Sequence, residues 1–462
     1  MSVGRTREDT LLDELGAVLP DDAVSVDPDR LASYRSDRAV GATAGTPAVL
    51  VLPRTTEQVA AALAAAHARR VPVVPRGAGS GLAGGANAVD GCVVLCTERM
   101  DRVVEVREQD GYAEVEPGVL NQALRDHVRG YGLWYAPDPA SKDFCTIGGN
   151  VGTNAGGLCC VKYGVTRDSV LGLEVVLADG RVAHIGRRTV KGVAGYDLTG
   201  LFVGSEGTLG VVTRARLRLR PPPSPPATVV AVFTDLAAAG RAVEQVLAAA
   251  TPALLEIMDR ATLRAVEDFQ PMGLDTAAAA LVIAQSDLPG DGAAQEATRI
   301  LQACVDAGAA EAFRSEDPQQ ADLLLGARRM AIPAIEHRGV WLLDDISVPR
   351  SRIADAVTAV AEVADRREVE ICTFGHAGDG NLHPTIVQGR GDHAAARRAQ
   401  LAFDDILDVA LRLGGTVTGE HGVGTIKRGP LSVELDPASR ALHAAVKQAL
   451  DPLGILNPGK AL

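Results

Sequence analysis

At 462 residues the chain exceeds what one ordinary hydrophobic core supports, so two or three domains are expected. A hydrophobic fraction of 47% and a charged fraction of 23% are those of a soluble globular protein, and a net charge of −12 argues against phosphate-backbone binding, which needs a basic face. The seven cysteines form no CxxC pair, which argues against a cysteine-held iron–sulfur cluster or structural zinc. The opening "MSVGRTREDTLLDELG" has charges throughout, so no signal or transit peptide is expected, and no apolar run reaches the roughly 18 residues of a membrane span. A cytoplasmic location with reduced thiols follows as an expectation, with peripheral membrane attachment and a homodimer both compatible with it.

In chain order, residues 7–19 read as an amphipathic helix and "AVLVLP" (48–53) as a buried strand. "TTEQVAAALAAAHARR" follows as a helix, with Thr55 and Gln58 at capping-box spacing. "VPVVPRG" is a strand entering a glycine loop. "VVEVREQDGYAEVEPG" and "LEVVLADGRVAHIG" alternate with period two across Asp-Gly turns and predict β-hairpins; Asn121 to Tyr131 predicts a short helix between them. "RPPPSPPA" (220–227) suits neither helix interior nor central strand and marks a domain boundary. Beyond it, strands and helices alternate in a βαβ-like way: "TVVAVF", 236–250, "ALLEIMD", 260–268, "AAALVIAQ", 292–307, and again "DDISVP", 351–366, "EICTFG". This predicts a second α+β domain, a sheet covered by helices. Helices at 393–413 and 438–450 follow, the last with Asp436 at its cap and Pro437 at its first position.

Three glycine-rich segments interrupt the first half. "RGAGSGLAGGANAV" contains Gly79-x-Gly81-x-x-Gly84, which matches a dinucleotide fingerprint, but that fingerprint needs a helix opening at the third glycine, and turn followed by strand is what the sequence offers. A Rossmann site is therefore rejected. "CTIGGNVGTNAGG" (145–157) and "FVGSEGTLG" (202–210) bring the total to more than turns require. Glycine admits close approach of backbone to a ligand and Asn, Thr and Ser supply short donors, so the three segments fit an extended, phosphate-bearing cofactor.

The C-terminal part carries the titratable chemistry. "FGHAGDGNLHP" holds His376 and His383, and "TGEHGVG" holds Glu420 and His421, so three of only nine histidines fall in two short segments. Two histidines and a carboxylate are divalent-metal ligand types, and a histidine beside that carboxylate is a candidate base. His376 and His383 do not align on a helix and face opposite sides of one continuous strand. They converge only if Gly378 and Gly380 bend the chain between them. From spacing alone, a metal site and a pair of solvent-exposed loop histidines both remain open.

These segments, in this order, resemble the flavin domain of the vanillyl-alcohol oxidase/PCMH superfamily. "FGHAGDGNLHPTI", "GGTVTGEHGVGTIKR" and "ILNPGK" further resemble its FAD-linked D-2-hydroxyacid dehydrogenases: D-lactate dehydrogenase, D-2-hydroxyglutarate dehydrogenase and the glycolate oxidase FAD subunit. The resemblance covers residues 20–462 or so. It implies an α+β protein: a PCMH-type FAD-binding domain of two α+β subdomains (1–222), an α+β substrate-binding cap (223–420), and a C-terminal segment (421–462) returning to the FAD domain. By motif, Arg76, Gly77, Ala78, Gly79, Ser80, Gly81 and Leu82 would hold the pyrophosphate together with the second segment, preceded by Pro139 and comprising Thr146, Gly148, Gly149, Asn150, Gly152, Thr153, Asn154, Gly156 and Gly157. Glu206, Gly207 and Gly210 would lie along the ribose–adenine part, and Asn457 would return to the flavin. Relatives with covalent FAD carry histidine where this chain has Ser80, so non-covalent FAD is implied.

The same resemblance makes His376, His383 and Glu420 ligands of one divalent ion; an N2O set suits Zn, with Mn, Co and Fe as alternatives. A metal has a clear use. A histidine of pKa about 6.5 facing a hydroxyl of about 15.7 is mismatched by about 12 kcal/mol, and an ion that brings bound water to about 7 removes most of that. The expected reaction is oxidation of a small D-2-hydroxy acid to its 2-oxo acid, with His421 as base and hydride passing from C2 to flavin N5. In "LLLGARRMAIPA", Arg328 matches the arginine that forks onto the substrate carboxylate, a pairing worth about 1.5–3 kcal/mol; Arg329 is read as surface. Where the 2-hydroxyglutarate enzymes have a lysine and a threonine, this chain has Leu343 and Ile332, which favours a monocarboxylate, D-lactate or glycolate. The alternatives are a D-2-hydroxyglutarate dehydrogenase, the FAD subunit of a multi-subunit glycolate oxidase, an O2-using oxidase and a non-catalytic flavoprotein subunit. Electrons would pass to an iron–sulfur subunit, an electron-transfer flavoprotein, a quinone or O2.

Overall fold

The apolar run at 49–51 makes a fully buried strand, Val49–Val51, parallel to Val93–Cys96, which is in turn parallel to Val73–Arg76; Val24–Ser25 closes the other edge antiparallel. Parallel neighbours need a crossover, and the helix Thr56–Arg69 provides one. Thr55 caps it by accepting from the Gln58 N–H at 3.3 Å, while the Gln58 side chain accepts from the Arg54 N–H rather than returning to Thr55. The capping box therefore closes one residue early. The helix Arg7–Val18 lays Leu11 and Leu15 into the same core as Leu63 and Val93. After Gly84 the chain enters the strand Val93–Cys96 and not a helix, which removes the geometry of a Rossmann phosphate site.

The structure, a computed structural model, describes residues 7–315, 318–389 and 391–461. The chain divides into two units: residues up to 156, 165–222 and 420–462 form the first, and 157–164 with 223–419 form the second. Besides the four-stranded sheet, the first unit holds a five-stranded antiparallel sheet built from the two Asp-Gly hairpins, Val103–Arg107 with Tyr112–Val115 and Val170–Val176 with Val182–Gly186. The strand Val211–Arg218 joins them, and its strict alternation buries Ala215 and Leu217 while Arg214 and Arg216 face outward. In the second glycine segment the structure departs from expectation: Ile147–Thr153 is a short helix, capped by Thr146 and ended by Asn154 at φ +54°.

The second unit is a sheet in the order Glu311–Ser315, Ala227–Phe233, Ala280–Ser286, Leu254–Asp259, Glu370–His376, Asn381–Gln388, Val340–Leu343, with Ile346–Ser347 also on Asn381–Gln388. Ala227–Phe233, helix Leu236–Ala249 and Leu254–Asp259 do form a βαβ unit, but Ala280–Ser286 inserts between the two strands and makes both contacts antiparallel. It is a split βαβ. The "DDISVP" strand shrinks to Ile346–Ser347. Segment 157–164 belongs here by packing: Lys162 and Tyr163 both donate to the buried Asp287 carboxylate.

The C-terminal helix Pro437–Leu450 is capped by Asp436, which accepts from Ala438 and Ser439 N–H, and returns the chain to the first unit. Leu456 then lies parallel beside Val73, with Asn457 N–H on the Val73 carbonyl at 2.8 Å. Asp451, 1% exposed, fixes this return by accepting from Lys447 Nζ at 2.6 Å and from the Ile455 and Leu456 N–H groups. Lys447 Nζ also donates to the Thr208 and Leu456 carbonyls. Replacing Asp451 with Ala is expected to destabilise the first unit by about 2–4 kcal/mol, below the full range for a broken buried ion pair because Lys447 keeps some water. Thermal unfolding of the holoprotein measures it.

Candidate active site

In the first unit the three glycine segments and the C-terminal return meet. A β-carbon on Gly77 would strike the Thr146 hydroxyl, so the first segment can lie against the second only as glycine. Gly204 and Glu206 N–H groups donate to the Val151 and Gly152 carbonyls at 2.9 and 2.8 Å, which docks the third segment on the second. Asn457 Nδ2 donates to the Gly85 carbonyl at 2.9 Å and the Glu206 carbonyl at 2.7 Å, tying in the "NPGK" segment. Arg76 ends its strand with Nη1 on the Ser36 carbonyl, and Asn150 is buried with its Oδ1 taking a hydrogen bond from Asn121. This is a cradle of backbone and short polar groups that β-carbons would fill, and it fits a long phosphate-bearing cofactor. Of the remaining cofactor candidates, Gly157 falls in the second unit, and a β-carbon on Gly210 would meet Val175 and Phe202.

Glu420 and His421 belong to this unit as well. A β-carbon on Gly156 would sit 2.5 Å from Glu420 Oε2, so Glu420 lies directly on the second glycine segment. His421 Nε2 is 3.7 Å from Glu420 Oε1. The loop that carries them is held by Glu206. Its Oε1 accepts from Val423 N–H and its Oε2 from Gly424 N–H, both at 2.8 Å. Thr425 N–H donates to the Ala83 carbonyl at 2.9 Å, and Gly424 is pressed so close to Ala83 that no side chain fits. Burial pushes the Glu206 carboxyl up to about 6 against the pull of those two N–H groups. Both its oxygens are thus committed to the backbone of the loop that carries Glu420 and His421.

In the second unit, Glu370–His376 and Asn381–Gln388 form a hairpin around a turn at Ala377–Asp379, with Gly380 at φ +86°. The bend expected of the glycines is present. Phe374 pairs with His383 and His376 with Asn381, so the two histidines are diagonal neighbours on one face, their ring centroids 5.2 Å apart at 86°. His376 is 7% and His383 3% exposed. His376 Nδ1 is 2.8 Å from Glu256 Oε1, and Arg328 Nε donates to Glu256 Oε2 at 2.7 Å, with the Arg328 guanidinium 4.6 Å from the Phe374 ring centroid. Asp345, fully buried, accepts from Asn381 Nδ2 at 2.7 Å and stands 3.6 Å from His383 Nδ1. It also accepts from the Thr418 hydroxyl and the Gly419 N–H at 2.8 and 2.9 Å. The residue after Gly419 is Glu420.

Glu256 and Asp345 were missed from the sequence. The signal was there: each is an acid inside an apolar run, "ALLEIMD" and "WLLDDIS", where an unpaired carboxylate would be costly.

The chain is an FAD-linked oxidoreductase by its family matches. Residues 222–461 match the C-terminal domain of FAD linked oxidases and residues 47–186 match an FAD binding domain. The glycolate oxidase subunit GlcD of Bacillus subtilis (strain 168) is 42% identical over 416 residues, 90% of this chain and 88% of that one. The D-lactate dehydrogenase of Archaeoglobus fulgidus is 35% identical over 441 residues, 93% of this chain and 95% of that one. p-Cresol methylhydroxylase with substrate bound shares the fold at a TM-score of 0.80 with 19% identity, covering 100% of this chain and 98% of that one. The chain belongs to the FAD-linked oxidase family that includes GlcD and D-lactate dehydrogenase. No helix among the described residues is long and apolar enough to cross a membrane.

Glu206→Gln turns one acceptor into a donor facing a backbone N–H. The expected cost is about 1–3 kcal/mol, with faster hydrogen exchange at the Val423 and Gly424 amides and unchanged exchange in the sheet strand Val211–Arg218.

Proposed function

We propose that the protein oxidises a small D-2-hydroxy acid, D-lactate or glycolate, to its 2-oxo acid. The observation that carries this reading is the single face of the hairpin that presents His376 and His383 and sets Arg328 beside Phe374 on the same Glu256 carboxylate. The names of the relatives, a glycolate oxidase subunit and a D-lactate dehydrogenase, support the substrate class.

His376, His383 and Glu420 are the proposed ligands of one divalent ion, Zn by donor type with Mn, Co or Fe as alternatives. When bound, the ion acidifies an alcohol and FAD supplies the hydride acceptor. Arg328 holds the substrate carboxylate. His421 removes the hydroxyl proton from its place next to Glu420, on the loop that Glu206 clamps. FAD is held non-covalently, Ser80 standing where a linking histidine would be. Leu343 lies opposite Thr385, on the face that carries His383, and Ile332 is half-buried on the helix Ala331–Arg338. Neither offers a cation to a second carboxylate, which supports a monocarboxylate over 2-hydroxyglutarate. The name "subunit" for the Bacillus relative favours a second reading of the electron acceptor, another polypeptide rather than O2.

His421→Ala is expected to keep FAD bound while slowing flavin reduction by about 10²–10⁴-fold in anaerobic stopped flow; undiminished reduction removes His421 as base. Gly156→Ala pushes a methyl into Glu420 and is expected to lower the metal content per bound FAD, measured by elemental analysis against flavin absorbance. With a panel of D- and L-2-hydroxy acids and an artificial acceptor, D-lactate or glycolate should lead; 2-hydroxyglutarate leading would overturn the monocarboxylate assignment.

A further inference from the structure

We propose that Glu256 is the positioning residue of this site, fixing at once the tautomer of His376 and the edge that Arg328 presents to the substrate. The inference rests on the metal and substrate reading above and names a residue outside its ligands and bases.

Glu256 sits in the strand Leu254–Asp259, between Leu255 and Ile257, with no solvent exposure. Ile257 pairs with Gly375 in the adjacent strand, and carrying that register one residue on sets Glu256 opposite His376. An isolated carboxylate there would be expelled or neutralised. It persists because each oxygen has one charged or polar partner: Oε1 faces His376 Nδ1 at 2.8 Å and Oε2 faces Arg328 Nε at 2.7 Å.

Two consequences follow from donor and acceptor chemistry. A carboxylate only accepts, so Nδ1 of His376 must carry the proton, and Nε2 becomes the nitrogen for metal ligation. A guanidinium has five N–H groups on a planar fork. With Nε spent on Glu256 and the plane set against Phe374, the edge left for a substrate carboxylate is the pair of terminal nitrogens. One side chain therefore governs both metal affinity and carboxylate affinity.

Glu256→Gln tests this. An amide cannot accept from both donors: its NH2 must face either Nε of Arg328 or Nδ1 of His376. Chelator-competition titration of the FAD-loaded protein with Zn is expected to show affinity weakened by about 10–100-fold, with FAD content near wild type at a temperature where the variant is folded. The KM for D-lactate or glycolate should rise together with the loss of metal. Glu256→Asp, which keeps the charge but is too short to span both partners, should recover only part of either loss.

Wild-type Zn affinity in Glu256→Gln overturns the inference while leaving the metal reading standing, provided His376→Ala loses the metal. Absence of metal binding in wild type, or full binding in His376→Ala, sinks the metal reading itself. Should Glu256→Gln fail to fold, long-range proton–nitrogen spectra of metal-free wild type decide, with His376 assigned by its loss in His376→Ala. The Nδ1–H tautomer is expected, and the Nε2–H tautomer overturns the proposal.

Discussion

A β-carbon keeps the backbone away from whatever it faces, and the first unit depends on that limit. Gly77 against the Thr146 hydroxyl, Gly156 against the Glu420 carboxylate and Gly424 against the Ala83 carbonyl are contacts that a larger residue would force apart. Residues far apart in sequence thereby form one surface of N–H groups, carbonyls and short polar side chains. The conformational cost of so much glycine is real, and the hydrogen bonds from Gly204, Glu206, Asn457 and Thr425 offset part of it by fixing the segments to one another.

Buried carboxylates do the complementary job. Glu206 holds the loop carrying Glu420 and His421, Asp451 holds the C-terminal return, Asp345 holds the chain just ahead of Glu420, and Glu256 joins His376 to Arg328. Each accepts from at least two donors, and each fixes a geometry that apolar packing alone would leave loose. The site is thus assembled less by its own reactive groups than by acids standing behind them.

Much of this was legible in the sequence because it rests on local rules. Period-two alternation across Asp-Gly gave the hairpins, Asp436 and Pro437 gave the last helix start, and the missing helix after Gly84 excluded a Rossmann site. The convergence of the two histidines was conditional on a bend at Gly378 and Gly380, which the hairpin supplies. What failed was non-local. The insertion of Ala280–Ser286 between two strands of a βαβ unit leaves no local trace, nor does the pairing of Glu256 with partners 120 and 72 residues away. The helix Ile147–Thr153 was missed because its glycines are poor helix formers and only the Thr146 and Asn154 caps argue for it.

The pairing of Val73 with Leu456 has a bearing on how the protein comes into being. On the ribosome, residues 223–419 emerge after most of the first unit and before its last pieces. At typical elongation rates that interval is on the order of tens of seconds. Through it, the strand Val73–Arg76 has Val93–Cys96 on one side but not Leu456 on the other, and Glu206 has no loop backbone to clamp. The nascent flavin half must wait, partly formed and with apolar edge exposed, while the second unit has all its strands in hand and can close first. The order of completion is the reverse of the order of synthesis.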